Sequence, residues 1–377
     1  MKNQKSIYLV FATLLILLLG GCAFKTDKTE DSSPSTMMKV HYIDTGESDS
    51  ILIESDGHYM LIDAGDVDDK ATIVNYLTQQ EIKKLDYLVL THPHADHIGA
   101  ASDVVNSFTI GKIIMPPKTN NTKVYETLLD TIANKNLRIT KPIVGDSYVI
   151  GNATFTILAP NSMNYGSNIN NYSISLRLVN GKNSFLFIGD CETEAIADIL
   201  ANKQPLDSDV LLCGHHGSKT STTDDLLKAV TPTYAVISVG ENSYGHPSDS
   251  TLSLLKKYQI STYRTDENGT IIATSTGDNI TFAAKATDLS DVYTSTSSND
   301  TTANTTTSGK VSTTDKATAS SKDIATSSES NQVYITGSGT KYHKAGCRYL
   351  DSSKTKTTVK KAKKAGYEPC KVCNPAS

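Results

Sequence analysis

The chain has 377 residues, 38% of them hydrophobic and 20% charged, enough for at least one sizeable core, which excludes a collagenous or wholly disordered protein. Its net charge of −4 hides an asymmetry: residues 333–377 carry ten Lys/Arg against Asp351 and Glu368, a net of +8 that leaves −12 for the rest. A basic tail on an acidic body predicts a polyanionic partner, and six cysteines, three in the last 31 residues, exclude a small disulfide scaffold and suggest a local metal site.

Lys2 and Lys5 precede an apolar run, Ile7 to Leu19, that ends in Leu19-Gly20-Gly21-Cys22. This is the layout of a secretory signal, too short for a comfortable membrane span. Leu-Gly-Gly-Cys resembles a bacterial lipobox, which implies a signal peptide over 1–22 and lipidation of Cys22. Residues 23–37 have no apolar period and read as a tether. The expectation is a lipid-anchored protein on the extracellular face of the cytoplasmic membrane.

From about residue 38 to 285, apolar runs at Leu85–Leu90, Lys112–Met115, Phe155–Leu158, Phe185–Ile188, Val210–Leu212 and Ala235–Val239 predict buried strands. Helical spacing at Ala71–Leu77, Val124–Ala133, Thr193–Leu200 and Leu252–Tyr258 separates them, which makes an α/β layered domain. In residues 286–331, 23 of 46 are Ser or Thr, so no core offsets the ordering entropy and a disordered linker is expected. A basic Cys/His module over 332–377 closes the chain.

Chemistry concentrates after the strand at Leu85–Leu90, in Thr91-His92-Pro93-His94-Ala95-Asp96-His97-Ile98-Gly99. At a strand end, His92 and His94 can converge on one cation while Asp96 and His97 address a second. Small Gly99 and Ala100 let the following helix start close to the metals.

This His-x-His-x-Asp-His run resembles the signature of the metallo-β-lactamase superfamily. Three further motifs agree in order: Leu61-Ile62-Asp63-Ala64-Gly65, Phe187-Ile188-Gly189-Asp190 and Leu211-Leu212-Cys213-Gly214-His215-His216-Gly217-Ser218. The resemblance implies an αββα sandwich in which Asp63 orients a ligand His, Asp190 bridges two divalent cations and a later His returns to the second. Asp190 equally suits a cap for the helix near Glu192. Of His215 and His216 one ligand is expected, because side chains alternate along extended chain.

Residues Val40 to Ser50, Asn171-Tyr172-Ser173, His215 to Ser221 and Gly245-His246-Pro247-Ser248 narrow the resemblance to the extracellular domain of ComEC-type competence proteins and to surface phosphorylcholine esterases. It covers residues 38–285, about two-thirds of the chain. It implies phosphodiester hydrolysis, on DNA in the competence branch or on teichoic acid in the other. Those relatives usually read Gly-Gln-Gly-Asp-Ser where this chain has Gly46-Glu47-Ser48-Asp49-Ser50, and Gly-Gly where it has Gly99-Ala100. Many also supply a His between the first loop and the bridging Asp, whereas residues 98–214 contain none. The first site is then His92, His94 and Asp190 with water, substrate or Asn171, an oxygen-richer set that admits manganese as well as zinc.

Asp96, Asp190 and His246 are the catalytic candidates, His246 as acid or phosphate contact in a loop after a strand. Ser218, Lys219, Thr220 and Ser221 are placed to bind phosphate, or to cap a helix near Thr223. His41 and His58 stand alone and are assigned to packing, and Cys191 and Cys213 read as buried thiols.

In the tail, Tyr342-His343-x-x-x-Cys347 and, after 22 intervening residues, Cys370-Lys371-Val372-Cys373 suit one tetrahedral structural zinc. A disulfide with an idle third cysteine is the alternative. The module resembles small Ada-like zinc-binding units of secreted bacterial nucleases, and its lysines predict unspecific binding to DNA or wall polymer. The functional expectation is a two-metal phosphodiesterase or nuclease on DNA. A teichoic acid phosphodiesterase and a non-catalytic DNA- or wall-binding lipoprotein are the alternatives. A role in DNA uptake requires a separate channel protein as partner.

Overall fold

The computed structural model describes residues 37–292, 332–336, 341–344, 354–364, 367–370 and 373. The signal segment with Cys22, the tether, most of the linker and Cys347 lie outside the described residues. The chain divides into two compact units, with the division between Ser295 and Thr296.

In the first unit the strands are β1 (Met38–Tyr42), β2 (Ile51–Ser55), β3 (His58–Ile62), β4 (Lys84–Val89), β5 (Thr109–Ile114), β6 (Ile139–Thr140), β7 (Ser147–Ile150), β8 (Ala153–Ala159), β9 (Ser175–Asn180), β10 (Asn183–Phe187), β11 (Val210–Leu212), β12 (Tyr234–Ile237), β13 (Ser261–Arg264), β14 (Ile271–Ser275) and β15 (Ile280–Phe282). They form an eight-stranded sheet in the order β15-β14-β1-β2-β3-β4-β5-β6 and a seven-stranded sheet in the order β13-β12-β11-β10-β9-β8-β7. Each sheet is antiparallel on one side and parallel on the other, the parallel pairs being β3 to β6 and β10 to β13.

Alternating side chains account for the layers. In β1, Met38, Val40 and Tyr42 face the opposing sheet, where Phe185 and Phe187 of β10 and Leu176 and Leu178 of β9 meet them. The other faces are covered by helices. Lys70–Gln79, Ala101–Ser107 and Lys123–Asn134 bury Ile73, Leu77, Val104 and Leu128 on the first sheet. Thr193–Ala201, Asp224–Val230 and Asp249–Lys257 bury Ile196, Leu226 and Leu255 on the second. This is the expected αββα sandwich. Each side chain buried from this stack contributes about 1.5–3 kcal/mol. The predicted strands and helices recur with ends shifted by at most three residues.

The domain boundary at 285 falls short of the packed chain. Thr287 N donates to Thr262 O, Lys256 donates to the carbonyls of Ser290 and Val292, and Leu289 and Val292 pack on the second helical layer. Two apolar residues and a lysine supplied from the preceding helix were invisible to a reading based on local Ser/Thr content.

The second unit is small. Gln332–Thr336 pairs antiparallel with Lys354–Thr358, Lys341–Tyr342 pairs parallel with Glu368–Pro369, and a short helix spans Val359–Lys364. Among its described residues, Val333, Tyr342, Val359 and Ala362 form a core cluster.

Candidate metal centre

The centre is assembled where parallel strands end, the usual ligand position in open α/β sheets. The turn after β4 delivers Thr91 to His97, the turn after β3 delivers Asp63, β10 leads to Asp190, β11 to His215 and His216, and β12 to His246. Gly99 permits the crowding: a Cβ there would lie 2.1 Å from the backbone carbon of Asp66.

Asp190 is the hub. Its Oδ2 lies 3.3 Å from His97 Nε2, 3.7 Å from His215 Nε2 and 3.8 Å from His92 Nε2. On one side His92 Nε2 is 3.0 Å from His94 Nδ1. On the other, Asp96 Oδ2 is 3.7 Å from His97 Nε2 and 3.6 Å from His216 Nε2. Donors at about 2.1 Å from one tetrahedral ion are about 3.4 Å apart, so these separations fit atoms sharing cations better than direct hydrogen bonds.

Three of the imidazoles are held from behind. His97 Nδ1 faces Asp63 Oδ2 at 2.8 Å, and Asp63 also accepts from Thr91 N and Thr91 Oγ1, both at 2.7 Å. His216 Nδ1 lies 3.0 Å from Ser238 O, and His92 Nδ1 lies 3.2 Å from Ser173 Oγ, which also accepts from Asp190 N. With Nδ1 engaged, Nε2 is left to bind metal. His97 Nε2, His216 Nε2 and Asp190 Oδ1 are buried without a hydrogen-bond partner, a cost that cations would remove.

The electrostatics make the same demand. Burial pushes His97 down, but the carboxylates of Asp190, Asp96 and Asp63 outweigh it and hold the ring well above its ordinary pKa. Burial likewise opposes His216, and the nearby carboxylate of Asp96 with the charges of Asp190 and Asp49 lifts it to about 9. Burial opposes ionisation of Asp190, yet His97, His92 and His216 hold it well below the carboxylate range. The site attracts positive charge in whatever form is offered. Asp96, His97, Asp190 and His216 form one metal-binding cluster, with His92, His94 and His215 around the same hub.

Four expectations change. His215 and His216 both reach the centre, because both are left-handed (φ 52° and 53°) in a tight helical turn, so strand alternation does not apply. Asp190 does not cap the helix Thr193–Ala201, whose N-cap residue is Glu192. Asn171 is spent elsewhere: its Oδ1 accepts from Glu192 N and its Nδ2 lies 3.5 Å from Glu194, while His215 takes the place expected for it beside Asp190. The Ser221 hydroxyl is fully buried and Ser218 Oγ pairs with Thr220 Oγ1, so of the proposed phosphate contacts only Lys219 is exposed. Thr223 provides the helix cap.

His246 sits at the rim, 5.2 Å between ring centroids from His215, with Nδ1 3.2 Å from Glu47 Oε1. Glu47 and Asp49 carry no role in the motif reading. Asp49 is 3% exposed, groups with Asp63 and His97, and burial pushes its carboxyl up to about 6 against the pull of His216 and His97. The two acidic residues of Gly46-Glu47-Ser48-Asp49-Ser50, in the turn that follows β1, were the available signal. His41 and His58 are away from the centre, against Tyr76 and Asp86. Cys191 and Cys213 are buried and unbridged, and burial pushes both thiols up to about 12.

In the second unit, His343, Cys370 and Cys373 bring their donors together, with His343 Nδ1 3.8 Å from Cys373 Sγ. This is a second metal-binding cluster, separate from the first.

Comparison with known proteins agrees with the geometry. The chain is 34% identical over 200 residues to "ComE operon protein 3" of Bacillus subtilis, covering 53% of this chain and 26% of that protein. It is 29% identical over 239 residues to "Recombination protein 2" of Haemophilus influenzae (62% and 28%) and 28% identical over 260 residues to "Competence protein ComA" of Neisseria gonorrhoeae (68% and 34%). The chain thus spans about a quarter to a third of the length of these relatives. Residues 43–241 match the family model described as the Metallo-beta-lactamase superfamily. With more than half the chain matched and its metal-binding cluster on the sheet ends of an αββα sandwich, the chain belongs to that superfamily.

Proposed function

We propose that this metal-dependent hydrolase cleaves phosphodiester bonds of DNA, anchored through Cys22 to the outer face of the cytoplasmic membrane. The observation that carries the reading is the shared carboxylate: Asp190 Oδ2 stands within 3.8 Å of three imidazole nitrogens, two from the turn after β4 and one from the turn after β11. Two divalent ions held there, zinc or manganese, would acidify a water and balance the charge of a phosphodiester.

The chain's own groups fill the other roles. Asp63, Ser173 and Ser238 fix the ligand imidazoles. Glu47 Oε1 lies 3.2 Å from His246 Nδ1 at the rim, and the other ring nitrogen of His246 would be the one to protonate a departing oxygen. Lys219, exposed beyond His216, supplies a cation for a non-bridging phosphate oxygen. The helix Val359–Lys364 in the second unit, with Lys360, Lys361, Lys363 and Lys364 in sequence, retains the polyanion without reading its bases. Relatives called competence and recombination proteins support DNA as that polyanion. Uptake of DNA across the membrane would fall to a separate channel protein. The carboxylates of Glu47, Asp66 and Asp96 near the mouth favour a second reading, a choline-bearing wall polymer.

The test is metal-stripped protein with labelled single- and double-stranded DNA and bis-p-nitrophenyl phosphate, with zinc or manganese restored, beside a His94→Ala/Asp96→Ala control. Metal-dependent DNA cleavage that the control lacks is expected. Hydrolysis of the small diester with DNA intact would move the substrate to wall polymer, and binding without any cleavage would make the protein a receptor.

A further inference from the structure

The loop between β12 and the helix Asp249–Lys257 presents an aromatic ring that has no part in the roles assigned so far. Tyr244 is 78% exposed, the most exposed large hydrophobic side chain among the described residues. It stacks on His246 at 5.9 Å and 25° between ring planes, and His246 in turn meets His215 edge-on at 5.2 Å. A path of touching rings thus runs from solvent to the metal centre. Desolvation on the ring's inner side, then the carboxylates of Asp96, Glu47 and Asp66, raise the phenol's pKa, so its hydroxyl lies within electrostatic reach of the same centre.

The backbone beneath the ring is fixed. Asn242 Oδ1 accepts from the amides of Tyr244, Gly245 and His246, and Asn242 Nδ2 donates to the carbonyls of Gly240 and His246. Ser248 N donates to Gly217 O, tying the loop to the turn that carries His215 and His216. A lone exposed tyrosine is ordinary. A tyrosine whose backbone is immobilised beside a metal centre, with one ring face packed on a site histidine, has its binding geometry set in advance.

We infer that Tyr244 is a substrate-binding residue whose ring stacks on the nucleobase next to the scissile phosphate. The inference rests on DNA being the substrate. Stacking tolerates any base because every base offers a π face, so Tyr244 would supply affinity without sequence preference. A single exposed ring belongs at the weak end of measured stacking effects, about fivefold in binding.

Wild type, Tyr244→Ala and Tyr244→Phe of the full chain are compared on thymidine 5′-p-nitrophenyl phosphate and on methyl p-nitrophenyl phosphate, which share a leaving group and differ in the base. The expected result is a rise of about fivefold or more in KM for the thymidine ester in Tyr244→Ala, with kcat kept, no change on the methyl ester, and wild-type behaviour of Tyr244→Phe. An equal loss on both esters would make the ring structural, and unchanged kinetics on the thymidine ester, with wild type active on DNA, would overturn stacking alone. Wild type inactive on DNA and on the thymidine ester, yet active on p-nitrophenyl phosphorylcholine in a Tyr244-dependent way, would overturn both readings and assign the ring to a quaternary ammonium group.

Discussion

Replacing Asp63 by Asn separates the shape of the contact behind His97 from its chemistry. Asn has the same size and tolerates the left-handed backbone that Asp63 adopts (φ 56°), so the fold is kept. Its carbonyl oxygen can still accept from Thr91 N, as Asp63 Oδ1 does at 2.7 Å. The amide nitrogen then meets His97 Nδ1, 2.8 Å away in the native site, donor against donor. His97 relieves the clash by moving its proton to Nε2, the atom that faces Asp190 and Asp96 and that a cation requires. Outer-shell losses of this kind cost about 10–100-fold in metal affinity, or about 1.4–2.7 kcal/mol. Titration with zinc or manganese against a competing chelator would measure it, with circular dichroism confirming the fold. A folded Asp63→Asn protein that binds both ions at wild-type affinity would refute the idea that Asp63 sets the His97 tautomer.

Proton release should accompany metal binding. His97 is held well above its usual pKa and His216 near 9, so at pH 7 both rings carry protons that a cation must displace. Metal affinity therefore rises with pH up to about 9, and calorimetry at pH 7 in buffers of different ionisation enthalpy should show net release; none would contradict the assignment of these rings as ligands. Gly99→Ala places a methyl group 2.1 Å from the backbone of Asp66 and 2.3 Å from Val67 N, which cannot move as a side chain can. We expect a loss of about 1–3 kcal/mol in thermal or urea unfolding together with fewer bound metal ions, because the strained turn carries Asp96 and His97. In the second unit, the core among the described residues comprises four buried side chains, too few to stand alone. Cys370→Ser should lower the zinc count by one and expose this unit to proteolysis, with the αββα domain still folded; an unchanged zinc count would show that His343, Cys370 and Cys373 hold no ion.

Much of this was legible without coordinates because it is local. Four metal-type side chains crowded into the six residues from His92 to His97 point to cation binding whatever fold surrounds them, and a run such as Val210–Leu212 between turns is a buried strand in nearly any fold. The order of the motifs around Asp63, Asp190 and His215 carried the resemblance that implied the αββα sandwich. What lay beyond the sequence depends on groups brought together from far along the chain. The left-handed turn that aims both His215 and His216 inward is a backbone choice that residue types do not announce. Asn171 could be assigned to Glu192 only once the chain between them had folded back. Glu47 and His246, nearly 200 residues apart, become partners because the β1–β2 turn meets the loop after β12, where a Cβ on Gly240 would lie 2.5 Å from Gly46 Cα. Local spacing fixes which chemistry a segment can perform, while the reach and tautomer of each group are set by neighbours that only tertiary packing supplies.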